Sequence, residues 1–478
     1  MEMETVSTIA YYIFTALYVY TAIVVISVIL LENRNPVKTL SWIMIMVMLP
    51  IVGIIVYILV GQDFRRKKIM TGKILPEKRS TSHILSLDHM DDVGIPRHIQ
   101  KTIRLLDTNC DARLYPGNKI NVYTKGYDTF KAIFRDLRNA KEHIHVEFFI
   151  IDNDDVGSRF FDILKKKAQQ GVRVRVIYDY FGGWRIPRRV IKDLRSAGVY
   201  IEPFLPMDSL AGFSKVNYRN HRKLIVIDGK IGYTGGLNVA ERYRKGNRLG
   251  LWRDTFMRTL GPAVHAMQYS FLNDWAFVGQ KKITDDKYFP APLFYDNNCI
   301  QLVTSGPDTD WQNIMQGIIM AMSNAHDYIY IHTAYYLPPD SVTNALETAA
   351  MSGVDVRIIM PERNDSRLVA AASRSYIQGL LNARVRVYFY RNNFLHSKAI
   401  VIDDNISIIG SANMDIRSYE QDFEISAFVY DTETAVHLRS SFEEDLLSCR
   451  ELNANVWKSR RRWQRMKESI ARLFSPLL

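Results

Sequence analysis

At 478 residues, with 47% hydrophobic and 12% aromatic side chains, the chain is too long for one small core and too apolar to stay disordered. A net charge of +12 excludes an acidic surface and points to an anionic partner, either nucleic acid or an anionic membrane. Three widely separated cysteines, Cys110, Cys299 and Cys449, exclude a thiol metal or redox pair and suit a reducing compartment.

The chain opens on two uncharged runs, residues 6–31 and 40–60. Each is long enough for the ~20-residue helix that a bilayer core requires. The leading Met-Glu-Met-Glu lacks the basic region of a signal peptide. Arg34 and Lys38 lie between the runs, and Arg65, Arg66, Lys67 and Lys68 follow the second. The positive-inside bias therefore predicts a two-span membrane anchor over 1–62, with the large remainder on the cytoplasmic side. Pro50 and Gly53 keep a re-entrant hairpin open for the second run. Residues 63–108 are charged and irregular and read as a juxtamembrane linker.

The rest is a tandem repeat. "AKEHIHVEFFI" at 140–150 matches "AHDYIYIHTAYY" at 325–336, and "GVRVRVIYD" at 171–179 matches "GVDVRIIMP" at 353–361. Glycine closes a helix in each, and alternating apolar residues open a strand. Strand–helix–strand order predicts an α/β fold with largely parallel sheets. Two units, 109–285 and 286–455, are expected to pack face to face as a pseudo-dimer. Each then supplies half of one site on a pseudo-two-fold axis.

The strongest repeat is "HRKLIVIDGKIGYTGGLN" at 221–238 against "HSKAIVIDDNISIIGSAN" at 396–413, with half of the positions identical and no gap. On a strand, residues i and i+2 share a face, so His221 projects with Lys223 and His396 with Lys398. Asp228 stands at an odd offset from Lys223, which sends it to the other face or into the following turn, where it braces the chain; Asp403 holds the same place in the second copy. Gly235, Gly236 and Asn238, with Gly410, Ser411 and Asn413, are small or amide residues that would let backbone N–H groups and the Ser411 hydroxyl approach a ligand. Two imidazoles, two ammonium groups and amide donors, without a carboxylate cluster for a divalent metal, suit a phosphodiester. One histidine attacks phosphorus, the other protonates the leaving oxygen, and the cations neutralise the non-bridging oxygens. Asp254 in "WRDTF" and Glu424 in "QDFEIS" follow their motifs at corresponding places and could each orient their own or the opposite imidazole. Phe148, Phe149, Tyr335 and Tyr336 are candidates to line the pocket or to pack in the core.

At the C-terminus, 456–478, Trp463, Met466, Ile470, Leu473 and Phe474 recur at helical spacing among seven Lys and Arg residues between 457 and 474. This amphipathic helix either lies on a membrane or docks on the body.

The doubled H-x-K-x4-D motif resembles the phospholipase D superfamily. With "ENRNPVKTLSW", "LPIVGIIVYILVGQ", "LWRDTF", "HTAYYLPPD" and "RLFSPLL", the chain resembles two-motif bacterial cardiolipin synthases over essentially its whole length. That resemblance implies two phospholipase D-like α/β/α units behind a membrane hairpin in the bacterial inner membrane. It implies transfer of a phosphatidyl group between two phosphatidylglycerol molecules through a phosphohistidine, giving cardiolipin and glycerol without cofactor or metal. It carries His221, Lys223, Asp228, His396, Lys398 and Asp403 over as the catalytic set, with His221 favoured as nucleophile. Anionic membrane lipids, and no nucleic acid, are the implied partners. Gly236, in place of a serine, departs from the wider superfamily pattern but is shared with the synthases. The alternatives are a membrane-bound phospholipase D that hydrolyses phospholipids, a nuclease, and a silent membrane scaffold. The two apolar runs argue against the nuclease, and the intact pairs of histidine and lysine argue against the scaffold.

Overall fold

The computed structural model describes residues 2–31, 36–49, 52–53, 57, 84–91, 94–206, 217–296 and 298–475, and divides into two compact units. The N-terminal unit contains two helices, Pro36–Met48 and, before it, the longer Glu2–Leu31. Its stretch Thr5–Leu31, 27 residues, is long and apolar enough to cross a membrane. Ile29, Met46 and Tyr57 pack together, and the Tyr18 hydroxyl donates to the Met46 carbonyl at 2.9 Å. The second helix spans 13 residues, short of the ~20 needed for a crossing. The expected second span continues into residues 54–56 and 58–60, outside the described residues, as does the basic cluster at 65–68. One span is therefore supported, and the two-span anchor is not shown.

The large unit carries the repeat. In its first half lie β1 (Tyr115–Lys125), β2 (His143–Phe148), β3 (Arg173–Asp179), β4 (Tyr200–Phe204), β5 (Leu224–Ile227), β6 (Ile231–Gly235) and β7 (Trp252–Leu260). Their order is β1-β7-β6-β5-β2-β3-β4. The second half has β8 (Asn298–Ser305), β9 (Tyr328–His332), β10 (Tyr336–Leu337), β11 (Asp355–Pro361), β12 (Arg386–Tyr390), β13 (Phe394–Leu395), β14 (Ala399–Ile402), β15 (Ile406–Gly410), β16 (Met414–Asp415), β17 (Glu424–Tyr430) and β18 (Cys449–Glu451). Its main path, β8-β17-β15-β14-β9-β11-β12-β18, repeats the first order strand for strand and adds β18.

The halves meet edge to edge. Strands β1 and β8 pair antiparallel, Tyr115 opposite Ile300, and fuse both sheets into one of sixteen strands. This corrects the face-to-face packing and the largely parallel sheets expected from sequence. The parallel runs are β2-β3-β4 and β9-β11-β12, each joined through helices, with two short parallel pairs besides, β10 with β16 and β13 with β7. The hairpins β5–β6 and β14–β15 are antiparallel because their turns are too short for a crossover. In the first half, Phe130, Ile133 and Leu137 of the helix Gly126–Asn139 and Phe160 and Leu164 of the helix Asp155–Gln169 join Val146, Val176 and Ile225 in one core. The expected linker also ends earlier than read. Residues Arg97–Cys110 form a helix that buries Ile99, Ile103 and Leu106 in the core of the second half. The C-terminal helix Arg462–Arg472 docks on the helix Arg367–Asn382, with Ala471 packed among Leu337, Val369 and Ala372.

Both motif aspartates sit in the hairpin turns. Asp228 has φ 55° and Asp403 φ 50°, a left-handed backbone that Asp and Asn tolerate better than other side chains. The Asp228 carboxylate accepts the N–H groups of Lys141, Glu142 and His143 at 2.8–2.9 Å. Asp403 accepts those of His326, Asp327 and Tyr328 at 2.7–2.9 Å. Each locks the start of the strand beside it, β2 or β9. Neither motif imidazole is among the hydrogen-bond partners of either carboxylate, so both aspartates act on the turn and the strand beside it. Asp403→Ala or Asp228→Ala is expected to destabilise the fold by about 2–3 kcal/mol, because several N–H groups lose a charged acceptor. The Asn variants keep the left-handed turn and one acceptor oxygen and should lose less. Thermal unfolding in detergent should rank wild type above Asn above Ala.

Candidate active site

His221 and Lys223 immediately precede β5, and His396 and Lys398 immediately precede β14. Each histidine segment is stitched to the other half. His221 donates its N–H to the Phe423 carbonyl at 2.9 Å, and Phe423 donates to Arg219 at 2.8 Å. His396 donates to the Arg253 carbonyl at 2.8 Å, and β13 pairs with β7 just before it. Residues 423 and 253 each stand one place before an acid. That register brings Glu424 to His221 and Asp254 to His396.

The side chains complete the exchange. His221 Nδ1 lies 2.7 Å from Glu424 Oε1, and His396 Nδ1 lies 2.6 Å from Asp254 Oδ2. The sequence left open which imidazole each acid would orient, and the fold pairs each with the opposite one. Both acids are buried, at 0% and 1% side-chain exposure, whereas His221 and His396 retain 12% and 8%. The acids thus stand behind the rings, and the rings face the remaining opening. The Lys223 ammonium donates to the His221 carbonyl at 2.6 Å. Lys398 Nζ donates to the His396 carbonyl and lies 3.2 Å from His396 Nε2.

Electrostatics follow from this burial. Desolvation, then Lys223, holds His221 well below the ordinary imidazole range; desolvation, then Lys398, does the same to His396. Both rings are neutral at pH 7. With Nδ1–H donated to a carboxylate, Nε2 carries the lone pair. Burial pushes Asp254 and Glu424 up to about 7, against the pull of Lys398 and Lys223 respectively. Burial also lowers Lys223 to about 7 and Lys398 to about 8. Each histidine lies within electrostatic range of the opposite lysine, and His396 within range of His221. The two half-sites therefore form one charge cluster, strained toward neutrality without a ligand. An arriving phosphodiester anion would favour the charged lysines and a protonated imidazole.

The small residues serve the scaffold. A Cβ on Gly235 would lie 2.4 Å from the Thr255 carbonyl oxygen, and one on Gly410 would lie 2.2 Å from Ser426 Oγ. These glycines let neighbouring strands approach, rather than backbone N–H groups reach a ligand. A Cβ on Gly236 would lie 2.2 Å from Asp254 Oδ1, so the space a side chain would need is filled by the orienting carboxylate. In the second half Ser411 donates its hydroxyl to Glu424 Oε2 and accepts from Ile425 N–H at 3.0 Å. This corrects the expectation that the Ser411 hydroxyl approaches a ligand. Asn238 accepts from Ile150 N–H at 3.2 Å and donates to the Tyr243 hydroxyl at 2.8 Å, which commits it to the scaffold. Asn413 Oδ1 is buried and has no hydrogen-bond partner among the described residues.

Among the four candidate aromatics, Phe149 stands edge-on to His221 with centroids 5.1 Å apart, while Phe148 packs in the core against Phe160. Tyr336 is fully buried, and the Tyr335 hydroxyl donates to Asp365 at 2.8 Å. Sequence reasoning missed the aromatic wall around His396. Trp252 and Tyr243 come within 5.3 and 5.4 Å of its ring, and both belong to the other half. It also missed the support beneath His221, where Arg222 pairs with Asp274 and the Asn220 amide donates to Glu147 at 2.5 Å. Arg222 could have been found by its alternation between His221 and Lys223, which turns it to the opposite face.

The family described as "Cardiolipin synthase, PLD-like domain" matches residues 133–250 and 318–446, and "Phospholipase_D-nuclease N-terminal" matches 16–62. The "Cardiolipin synthase" of Halalkalibacterium halodurans is 39% identical over 457 residues, covering 94% of this chain and 91% of that protein. The "Major cardiolipin synthase ClsA" of Bacillus subtilis is 37% identical over 478 residues, covering 95% and 96%. Among solved structures, phosphatidylserine synthase of Haemophilus influenzae superposes with a TM-score of 0.59 at 14% identity, over 79% of this chain and 100% of that one, a likeness of fold. Two phospholipase D-like repeats, one shared site and near-complete alignment with its relatives lead to one conclusion: the chain belongs to the cardiolipin synthase family.

Proposed function

We propose that this enzyme is a phosphatidyltransferase that moves a phosphatidyl group from one phosphatidylglycerol to another, giving cardiolipin and glycerol. The observation that carries the reading is the reciprocal pairing of each motif histidine with a buried acid from the other half. It supplies two imidazoles with defined Nε2 lone pairs on one cluster of cations, which two successive in-line transfers at one phosphorus require.

In the first transfer His221 Nε2 attacks the phosphorus. The P–O bond to glycerol breaks, and His396, protonated once the anion is bound, gives its proton to the leaving oxygen. In the second, neutral His396 takes the proton of a terminal hydroxyl on another phosphatidylglycerol. That oxygen attacks phosphorus, the P–N bond breaks, and His221 is regenerated. His396 takes the acid role by the family resemblance; the Lys398 ammonium 3.2 Å from its Nε2 lowers the proton affinity of the ring, so that the imidazolium formed when the anion binds is the stronger acid. Lys223 and Lys398 bear on the non-bridging oxygens, and Glu424 and Asp254 stabilise each imidazolium as it forms. Burial of the pair helps exclude water, so that a lipid hydroxyl competes as acceptor. We place the catalytic body at the cytoplasmic face of a bacterial membrane, a placement supported by the N-terminal apolar helix and the basic cluster at 65–68.

Full-length protein incubated with labelled phosphatidylglycerol, without added metal or nucleotide, should yield cardiolipin and glycerol in equal amounts. Phosphatidic acid as the sole lipid product would replace transfer with hydrolysis. His221→Ala and His396→Ala should each lower turnover by about 10⁴-fold or more, since both transfers need both rings. Glu424→Gln should cost about 10²-fold or more through the wrong tautomer, with His221 itself intact. Mass spectrometry of a His396→Ala reaction stopped by denaturation in cold detergent at neutral pH, which spares the acid-labile P–N bond, should find any trapped phosphatidyl adduct on His221; an adduct on His396 of the His221→Ala protein would reverse the assignment.

The pH profile has a defined sign. Asp254 and Glu424 work as carboxylates and are lost as pH falls through about 7. Lys398 and Lys223 work as ammonium groups and are lost as pH rises through about 8 and about 7. A narrow bell in kcat/KM centred near pH 7 is expected. Lys223→Arg should move the alkaline limb up toward the loss of Lys398 at about 8 while lowering the maximum. A flat profile between pH 6 and 9 would contradict this electrostatic description.

A further inference from the structure

The C-terminal helix is docked by an unexpected face. Glu468, Ala471 and Ser475 are its buried side, at 4%, 3% and 2% exposure, and Arg460 holds Glu468 in a bidentate pair at 2.7 and 2.8 Å. The apolar stripe points away from the body. Trp463, Met466, Ile470, Leu473 and Phe474 are between 46% and 78% exposed, and at 100° per residue they fall on one side. A helix fixed to a soluble body normally turns such a stripe inward, because each large apolar side chain gains ~1.5–3 kcal/mol on full burial. Here the sequence spends a small, polar face on docking and keeps the apolar one outside.

A short chain of contacts links the docked face of this helix to the site. Ala471 shares a cluster with Leu337, Val369 and Ala372, against which Tyr335 packs. The Tyr335 hydroxyl holds Asp365, just ahead of the helix Arg367–Asn382, and Asp365 is within electrostatic range of Lys398. The pseudo-symmetric loop after β3 bears a second exposed apolar group, Tyr180, Phe181 and Trp184, at 40%, 37% and 74% exposure. That loop is tied to His221. Asp179 accepts from Phe181 and Gly182 with one oxygen and from Asn220 N–H with the other, and a Cβ on Gly182 would lie 2.0 Å from the Phe149 carbonyl. The loops after β3 and β11 are thus each tied to the site, and each has exposed apolar groups beside it.

The bordering charge selects the occupant. Arg462 and Lys467 flank the stripe on the helix, Arg185, Arg188 and Arg189 follow Trp184, and all five are exposed. Aromatic and aliphatic side chains ringed by cations match the interface of an anionic bilayer, where Trp and Tyr settle at headgroup depth and each cation adds ~1 kcal/mol.

We propose that the stripe on Arg462–Arg472 and the aromatic loop at 180–184 form a two-sided surface that seats the mouth of the site on an anionic bilayer, so that lipid enters without crossing water. The proposal rests on the substrate being a bilayer lipid, as proposed above, and its test separates the two.

Full-length protein in which Cys110 and Cys449 are replaced by serine, leaving the buried Cys299, would carry Leu473→Cys labelled with an environment-sensitive fluorophore. In vesicles of phosphatidylglycerol and phosphatidylcholine its emission should shift to the blue and be quenched by nitroxide lipids. The same label at Lys230→Cys, in the β5–β6 turn at the far end of the strand from His221, should do neither. A water-like emission at 473 in those vesicles would overturn the proposal, and equal burial in vesicles of phosphatidylcholine alone would overturn the anionic preference. Trp463→Asp with Leu473→Asp should slow turnover of bilayer phosphatidylglycerol at least tenfold while leaving that of a short-chain, monomerically dissolved phosphatidylglycerol within twofold. Equal loss on both substrates would overturn the surface role. If wild type makes no cardiolipin from either substrate while the 473 label is buried, the transferase reading fails and the membrane contact stands.

Discussion

Two buried carboxylates crossing between the halves hold the rest of the site in place. A carboxylate at 0–1% exposure is costly unless it is hydrogen-bonded to a partner, and the partner of each is the imidazole of the other repeat. Separating the halves would take the imidazole from both buried acids and leave the Ser411 hydroxyl and the Thr255 N–H as their remaining donors. The cross-pairing therefore sets the ring orientation, the tautomer and the unity of the catalytic body together. The backbone exchange at residues 219–221 with 423, and at 394–396 with 252–253, delivers the acids in register.

The fused sheet serves the same constraint. Pairing β1 with β8 removes two free strand edges, and the strands that follow the His-Lys segments are inner members of the fused sheet, β5 between β6 and β2 and β14 between β15 and β9. Inner strands carry the His-Lys segments with little freedom, because they are hydrogen-bonded on both sides. The hairpin aspartates add stiffness from the far end. Each closes a left-handed turn and pins the start of the adjacent strand, β2 or β9, so the motif is braced at both ends: by its aspartate in the turn and by the opposite half at its histidine.

The pseudo-symmetry is broken where the orienting acids differ in length. Asp254 fills the space that a side chain at Gly236 would need, while the longer Glu424 is held by the Ser411 hydroxyl. His396 alone has an ammonium within hydrogen-bond distance of Nε2 among the described residues. Such small differences are how one duplicated motif can hold two protonation roles, since near-equivalent rings need only a modest bias in environment to divide acid from nucleophile.

Much of this was legible in the chain. The doubled motif, its constant spacing and the matched strands at 171–179 and 353–361 determine a tandem α/β fold with one shared site, because periodicity and repetition are local properties of sequence. The turn-bracing role of Asp228 was legible too, from its odd offset to Lys223. Other features were decided only in three dimensions. Which acid serves which histidine depends on a strand register set by contacts some 140 to 200 residues apart in sequence. Edge-to-edge fusion depends on β1 and β8 finding each other, and nothing in either strand names its partner. The outward stripe of the C-terminal helix is the clearest case. Helical spacing identified the apolar face, but whether it packs inward or meets the solvent is settled by the surface it docks against, where Glu468 and Ala471 fit and a row of large side chains does not.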